Sequence, residues 1–334
     1  MKKYNIAVVG CGWASGVWID YTKKRDDVAF KLLVDINIDA AKRQLLDKEL
    51  DCEVAEVLDQ AIIKKLGINL VFDTTIPDAH FNTVTTALNA GCDVFGEKPM
   101  SSSIESARKM VSLARQSGNT YAVMQNYRYN NGIRGYKELL SNDLIGNIGT
   151  LQAEFFLNPN FSGFRTEMDN PLILDMAIHS FDEARFLSGA DAVSVYCQEY
   201  NPSWSHYKGN ISAAAIFEMS NGAVFTYHGS WSAKGFGTSW NCSWRAIGEK
   251  GTALWSGGLE SQAEFFEGDQ AVSVIPKYTW DQDLQSHDAC LAAMFKALNE
   301  GRSPETSCID NIKSMEMVFG AIQSARTGKK VLIK

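Results

Sequence analysis

The sequence predicts two domains: an α/β domain over residues 1–125 built on a doubly wound parallel sheet, and an α+β domain over 126–334 built on a large, open, mostly antiparallel sheet. Three observations carry this. The first third of the chain alternates short apolar runs with helical segments of ordinary length, the signature of right-handed strand–helix–strand crossovers. From Gly149 the period changes, and short alternating or apolar runs follow one another between Gly, Asn and Ser clusters. At 334 residues the chain exceeds what one ordinary core accommodates.

In the first domain, Tyr4 to Val9 reads as a strand. It runs into Gly10-Cys11-Gly12-Trp13-Ala14-Ser15-Gly16 and then a helical pattern through Trp18, Tyr21 and Lys24. Glycines at such a turn let a backbone approach a pyrophosphate, and the helix N-terminus behind it offers free N–H groups. The third glycine of Gly-x-Gly-x-x-Gly is replaced by Ser15, with Gly16 one residue later, and glycine-rich turns also arise for purely structural reasons. Val28 to Val34 is the next strand and ends in Asp35, an acid placed to accept from both adenosine ribose hydroxyls and to repel a 2′-phosphate, so NAD is expected over NADP. Strands at Asn69 to Thr74, Cys92 to Gly96 and Tyr121 to Met124 follow, with helices from Pro77-Asp78-Ala79-His80 to Gly91 and from about Ser102 to Gln116. Ligands of doubly wound sheets bind at the strands' C-terminal ends. Gly10, Gly12, Trp13, Ala14, Asp35, Thr74, Thr75, Pro77, His80, Glu97 and Lys98 lie at or just beyond them and form the expected cofactor site, with Asn126 at the domain's close.

Gln125 to Tyr129 closes this domain, and a helix from about Asn131 to Ser141 leads to a turn-rich joint at 142–146. Strands are predicted near 151–157, 192–200, 211–219, 223–231, 240–247, 252–255 and 262–266, then helices at about 283–300 and 309–327 and a short strand at 331–333. One long helix is inserted between the first two of these strands. Pro171 suits its first turn, Gly189 its C-terminal cap, and apolar residues surround nearly the whole barrel, so it should be mostly buried. Asp175, His179 and Asp182 stand at i, i+4 and i+7 on one stripe of this helix, with neighbours about 5–6 Å apart at Cβ. Two readings stay open at this point: a proton-handling site facing a cleft, or a satisfied core histidine flanked by two acids.

The Gly-rich turn, Pro77 with His80, Glu-Lys-Pro at 97–99 and Asp-x-x-x-His-x-x-Asp at 175–182 resemble the Gfo/Idh/MocA family, the glucose–fructose oxidoreductase and inositol dehydrogenase group, over essentially the whole chain. The resemblance implies a Rossmann domain, an NAD-dependent oxidoreductase acting on a secondary hydroxyl of a sugar, polyol, inositol or sugar derivative, and Lys98, Asp175 and His179 as catalytic residues. Tyr127, Arg128 and Arg165 join these three as candidate substrate contacts. Where many members have glycines leading into the second motif and a Gly two residues before its His, this chain has Pro171-Leu172-Ile173 and Ala177, which implies a less open backbone near the substrate.

Oxidising a secondary alcohol means removing a hydroxyl proton as hydride leaves for the nicotinamide. Imidazole titrates near neutrality, so His179 suits the proton acceptor, Asp175 can orient it or bind an adjacent hydroxyl, and Lys98 can donate to the reacting oxygen; the sequence leaves open the exchange of roles between Lys98 and His179. Other readings are a non-catalytic dinucleotide-sensing regulator and an NAD-dependent glycoside-cleaving member of the same family. A metal-dependent hydrolase on Asp175, His179 and Asp182 leaves the nucleotide turn unexplained, and no metal site is expected.

Trp and Tyr in the second sheet, Trp231 and Trp240 among them, are read mainly as packing residues, with sugar faces or a subunit interface as the alternative. Those in strands 211–255 predict an apolar outer face and a homodimer or homotetramer. His287, with Asp281, Asp283 and Asp288 nearby, is read as a solvated helix start. A formal charge of −7 argues against nucleic-acid or anionic-membrane partners. Seven scattered cysteines without a Cys-x-x-Cys pair suit a reducing compartment. The start Met-Lys-Lys-Tyr-Asn lacks the apolar stretch of a signal peptide, and no apolar run approaches about 18 residues, so a soluble cytoplasmic protein is expected.

Overall fold

The computed structural model describes residues 4–276 and 284–333. Two compact units result, Met1–Asn126 with Leu284–Ile312, and Tyr127–Asp283 with Lys313–Lys334. The division differs from one at 125/126 in that the helix after residue 284 returns to the first unit. Its apolar face explains why: the Phe295 ring packs edge-on to Tyr4, Phe72 and Phe95 at 5.4, 6.2 and 5.3 Å.

In the first unit, strands β1 (Tyr4–Val9), β2 (Val28–Val34), β3 (Glu53–Ala55), β4 (Leu70–Asp73), β5 (Asp93–Gly96) and β6 (Tyr121–Val123) form one parallel sheet in the order β3-β2-β1-β4-β5-β6. The crossovers are α1 (Trp13–Thr22), α2 (Ile38–Asp47), α3 (Gln60–Leu66), α4 (His80–Asn89) and α5 (Ile104–Ser117). The strand order reverses between β1 and β4, so the crevice of a doubly wound sheet opens beyond Val9 and Asp73. Local chemistry fixes the ends of the helices: Asn37, Asp59 and Ser103 accept from the first-turn amides of α2, α3 and α5, and Gly67 and Gly118 close α3 and α5 in left-handed backbone.

A 3₁₀ turn at Asn126–Tyr129 spans the boundary, and the second unit continues into α6 (Asn131–Ser141). Strands β7 (Ile148–Phe156), β8 (Ala192–Tyr200), β9 (Ser212–Met219), β10 (Val224–Ser230), β11 (Ser243–Gly248), β12 (Gly251–Trp255), β13 (Ser261–Glu267), β14 (Gln270–Val274) and β15 (Val331–Leu332) make one sheet in the order β14-β13-β12-β11-β7-β10-β9-β8-β15. All neighbours run antiparallel except β7 and β10. The short helix α7 (Phe164–Glu167), a π-helical stretch at Leu172–Ala177 and α8 (Ile178–Ser188) are inserted between β7 and β8; α9 (Ser286–Glu300) and α10 (Cys308–Thr327) complete the chain, the unit boundary falling within α10. Strand β14, with three exposed and two half-buried residues, lacks the apolar run that marks a strand in sequence.

The rings expected on an outer face belong to the core. Tyr227, Trp231, Trp244 and Trp255 are each 1% exposed. Phe217, Phe225 and Trp244 stack across three strands, and Phe181 of α8 stands edge-on to Phe217 at 4.8 Å. The opposite face carries Gln152, Glu154, Arg245 and Gln262 among isolated apolar residues, because strict period-two alternation sends each strand's aromatic residues inward. Asp281 and Asp283 lie outside the described residues.

Candidate functional site

Each unit carries a group of the sequence-selected residues. In the first, β1 ends in Gly10 at φ +89°, and a Cβ there would stand 2.7 Å from the Thr74 carbonyl oxygen, so this turn admits only glycine. Thr74 ties the two switch-point loops together by donating its hydroxyl to the carbonyls of Val9 and Gly10 at 3.0 and 2.7 Å. Behind the turn, α1 begins without a capping side chain and without an acid in its first turn, and space beside Gly12 is open. Its first amides are thus directed at a ligand position rather than bound by the chain. Ser15, at the imperfect position of the glycine motif, is buried and donates to the Gly12 carbonyl at 2.6 Å. Asp35 is drawn against the turn, accepting from the Cys11 amide at 2.7 Å and the Asn37 amide at 2.8 Å. Trp13 is 78% exposed at the mouth of the turn, with Ala14 beside it and Thr75, Ile76 and Pro77 on the neighbouring loop.

Two residues expected to face the cofactor are turned inward. His80 is fully buried, with Nδ1 2.8 Å from Asp73 Oδ2, while Thr75 donates to the other carboxylate oxygen at 2.6 Å. Burial opposes charge on this imidazole, but Asp73, by charge and hydrogen bond, holds its pKa above the ordinary value. His80 therefore pins the Asp73–Pro77 loop through Nδ1. Glu97, likewise buried, accepts from Trp18 Nε1 at 3.0 Å and from the Lys98 amide at 3.2 Å. Burial raises its pKa against the opposing pull of Lys98. Lys98, the next residue, is only half-buried, and a cis peptide joins it to Pro99.

One residue read as solvated is not. His287 is partly buried at the start of α9; burial first, and the Lys98 ammonium second, push its pKa down to about 4. Its ring meets the edge of Trp13 at 6.1 Å, and its Nδ1 lies 3.4 Å from Asn126 Nδ2. The acids around it in sequence suggested a solvated helix start; partial burial and a lysine 189 positions away in the chain, 287 minus 98, set its environment instead.

In the second unit, His179 is 4% exposed and lies flat against Tyr127, ring centroids 4.0 Å apart and 16° from parallel. Burial, then Glu183, raises the Tyr127 phenol well above its ordinary pKa, so it remains a hydrogen-bond donor across the physiological range. Asp175 is held by Arg165, whose Nε donates to Oδ2 at 2.6 Å, and the Arg165 guanidinium rests over the rings of Phe161 and Phe164 at 5.1 and 4.6 Å. Trp231 lies behind this platform, 5.1 Å from Phe161, while Trp240 is 44% exposed.

The stripe itself is altered. Asp175 sits in the π-helical stretch Leu172–Ala177, so a uniform 3.6-residue period does not describe the segment. Leu172 and Ile173 are fully buried and anchor this wider turn. Asp182 takes a structural role: Arg128 donates to both of its oxygens, Nε at 2.7 Å and Nη2 at 2.5 Å, and Ser314 donates at 2.9 Å. Arg128, 4% exposed, is thereby committed to an ion pair rather than to a substrate. An acid one turn from His179 is Glu183, fully buried, with no hydrogen-bond partner at either oxygen among the described residues and a pKa raised first by burial and then by Asp182. Its i+4 spacing from His179 was visible in the sequence, but its burial was not.

A glycine turn backed by an uncapped helix, with a carboxylate at the end of the next strand, places the first unit among dinucleotide-binding proteins. Residues 4–125 match the model of an oxidoreductase family with an NAD-binding Rossmann fold, and residues 133–254 match that family's C-terminal domain. The chain belongs to the Gfo/Idh/MocA family and is an NAD-binding oxidoreductase. An inositol 2-dehydrogenase/D-chiro-inositol 3-dehydrogenase from Lacticaseibacillus casei is 30% identical over 193 residues, 57% of this chain and 54% of its own. D-apiose dehydrogenase from Paraburkholderia graminis is 22% identical over 100% of this chain and 91% of its own. An Agrobacterium radiobacter oxidoreductase solved with NAD+, L-tartaric acid and magnesium shares the fold at a TM-score of 0.86 and 20% identity, covering 99% of each chain. Among the described residues, no helix is long and apolar enough to cross a membrane.

Proposed function

We propose that this protein oxidises a secondary hydroxyl of a sugar, polyol, inositol or sugar derivative with NAD, using Lys98, Asp175 and His179. The observation that carries the reading is the buried His179 ring stacked on Tyr127, in the segment whose π-helical turn presents Asp175 to Arg165. Relatives named as inositol and sugar dehydrogenases support the substrate class.

When bound, the nicotinamide supplies the electron acceptor. The amides at the start of α1 hold the pyrophosphate, and Asp35 takes the adenosine ribose hydroxyls. His179 takes the hydroxyl proton at a ring nitrogen, Tyr127 fixing the plane of the imidazole. Asp175, paired with Arg165, binds an adjacent hydroxyl, one of the two roles open to it in the sequence. Lys98 donates to the reacting oxygen as negative charge develops there. A panel of sugars, inositols and glycosides monitored for NADH absorbance, with glycoside cleavage followed in parallel, identifies the substrate. Lys98→Ala and His179→Ala should each lower kcat by about 10²–10⁴ with NAD affinity nearly unchanged, and the double variant should lose much less than the product of the two. Near-parental turnover in both single variants would remove this assignment, whereas NADH binding by the parent with no turnover of any compound in the panel would favour the dinucleotide-sensing alternative. Asp35 favours NAD over NADP, and tighter NADP binding on titration would contradict that role.

The same reading includes a homodimer or homotetramer through the open face of the second sheet, where Tyr196, Ile216 and Ile247 are 44, 51 and 43% exposed. Light scattering at micromolar concentration tests it, a monomer being the contrary outcome. A cytoplasmic location is in keeping with seven free cysteines.

A further inference from the structure

The start of α9 holds a group of contacts to which the catalytic reading gives no task. Ser286, the first residue of the helix, has φ +53°. For a residue with a Cβ that backbone costs on the order of 1 kcal/mol, and such strain persists only where the surroundings impose it. Here the surroundings are Asn126 and His287. The Asn126 side chain, 3% exposed, donates through Nδ2 to Ser286 Oγ at 2.8 Å, with His287 Nδ1 at 3.4 Å from the same nitrogen and 3.3 Å from Ser286 Oγ. A neutral imidazole has one acceptor and one donor, so with donors gathered at Nδ1 the ring proton stands on Nε2. The low pKa of His287 agrees with that form, since a charged ring would carry a proton on Nδ1 and face the Asn126 amide donor to donor. The His287 ring also touches the edge of Trp13, the residue that opens α1 behind the glycine turn.

We propose that Ser286 and His287 are positioning residues for NAD, which clamp the Asn126 carboxamide by its nitrogen so that its oxygen faces the cofactor, while His287 braces Trp13 at the pyrophosphate turn. The inference rests on the reading of Asn126 as a cofactor contact and extends the nucleotide site to a segment 160 residues further along the chain. All four residues belong to the first unit, so the clamp is complete within it.

Cofactor affinity, read by quenching of tryptophan fluorescence and by calorimetry with NADH, tests this without turnover. His287→Ala and Ser286→Ala should each weaken NADH binding about 5- to 50-fold, the worth of leaving a buried amide donor short of a partner. His287→Asn, whose Oδ1 can stand where Nδ1 stood, should recover most of the loss. In turnover assays the KM for NAD should rise while kcat changes little. Folding is checked by circular dichroism and thermal melting, and the Asn variant distinguishes lost positioning from general damage. Parental NADH affinity in His287→Ala, or a folded His287→Asn as weak as the Ala variant, would overturn the clamp alone. Failure of the parent protein itself to bind NADH would overturn the nucleotide reading and the clamp together.

Discussion

His80 and His287 occupy the same α/β unit, each at the N-terminal end of a helix and each largely withdrawn from solvent, yet their proton affinities move in opposite directions. Burial disfavours the charged ring in both. At His80 the Asp73 carboxylate, 2.8 Å away and itself buried, more than compensates. At His287 the charge that acts on the ring is the Lys98 ammonium, which adds to the effect of burial. The first imidazole is held in a buried contact with a carboxylate that shapes a loop; the second stays a neutral acceptor and donor against Trp13, which opens α1. A histidine's role is thus set by the sign of the charge the fold brings to it.

The comparison is broken most severely by removing the carboxylate. Asp73→Asn leaves His80 buried without its counter-charge and should destabilise the protein by about 3–5 kcal/mol in urea unfolding. The pH dependence checks the cause. Because the folded pKa of His80 is raised, its stabilisation is present below about pH 6.5, the ordinary histidine value, and fades as pH climbs through the raised one. The Asn variant should lose that stabilisation and with it this part of the pH dependence.

A smaller effect is expected at Glu183, whose folded pKa is raised first by burial and then by Asp182, against a smaller opposing pull from Arg128. Such an acid costs nothing while the unfolded side chain is also protonated, below about pH 4.3, and costs progressively more as pH rises above that value. Glu183→Gln should therefore flatten the stability profile between pH 5 and 8, and a slope equal to the parent's would show that Glu183 ionises freely in the fold. His287 gives the opposite slope. Its folded pKa of about 4 means that stability falls as pH drops from about 6.5 toward 4, and His287→Asn should remove that loss.

The smallest and most specific effect sharpens the contrast directly. Lys98→Met deletes the second cause of the low His287 pKa and leaves burial, the larger one. By NMR, His287 should then titrate between about 4 and the ordinary value, and His80, whose partner is Asp73, should not follow it. An unchanged His287 titration would mean that burial alone sets it.

How far each feature could be read in advance follows its range along the chain. Strands β1 and β2, the helix Asn131–Ser141, the left-handed cap at Gly189 and the glycine turn were legible because alternation, helical period, capping and positive φ are local properties of a few consecutive residues. The family motifs likewise selected Lys98, Asp175 and His179 from short windows. What the three-dimensional fold decided was the partner of each ionisable group. Asp175 pairs with Arg165, Asp182 with Arg128 and Ser314, His80 with Asp73, and His287 with Asn126 under the influence of Lys98. Charge stabilisation depends on distance and on the water excluded between groups, and neither is a property of sequence separation. The sequence therefore determined which residues could carry charge and chemistry, while packing determined which remain available for them.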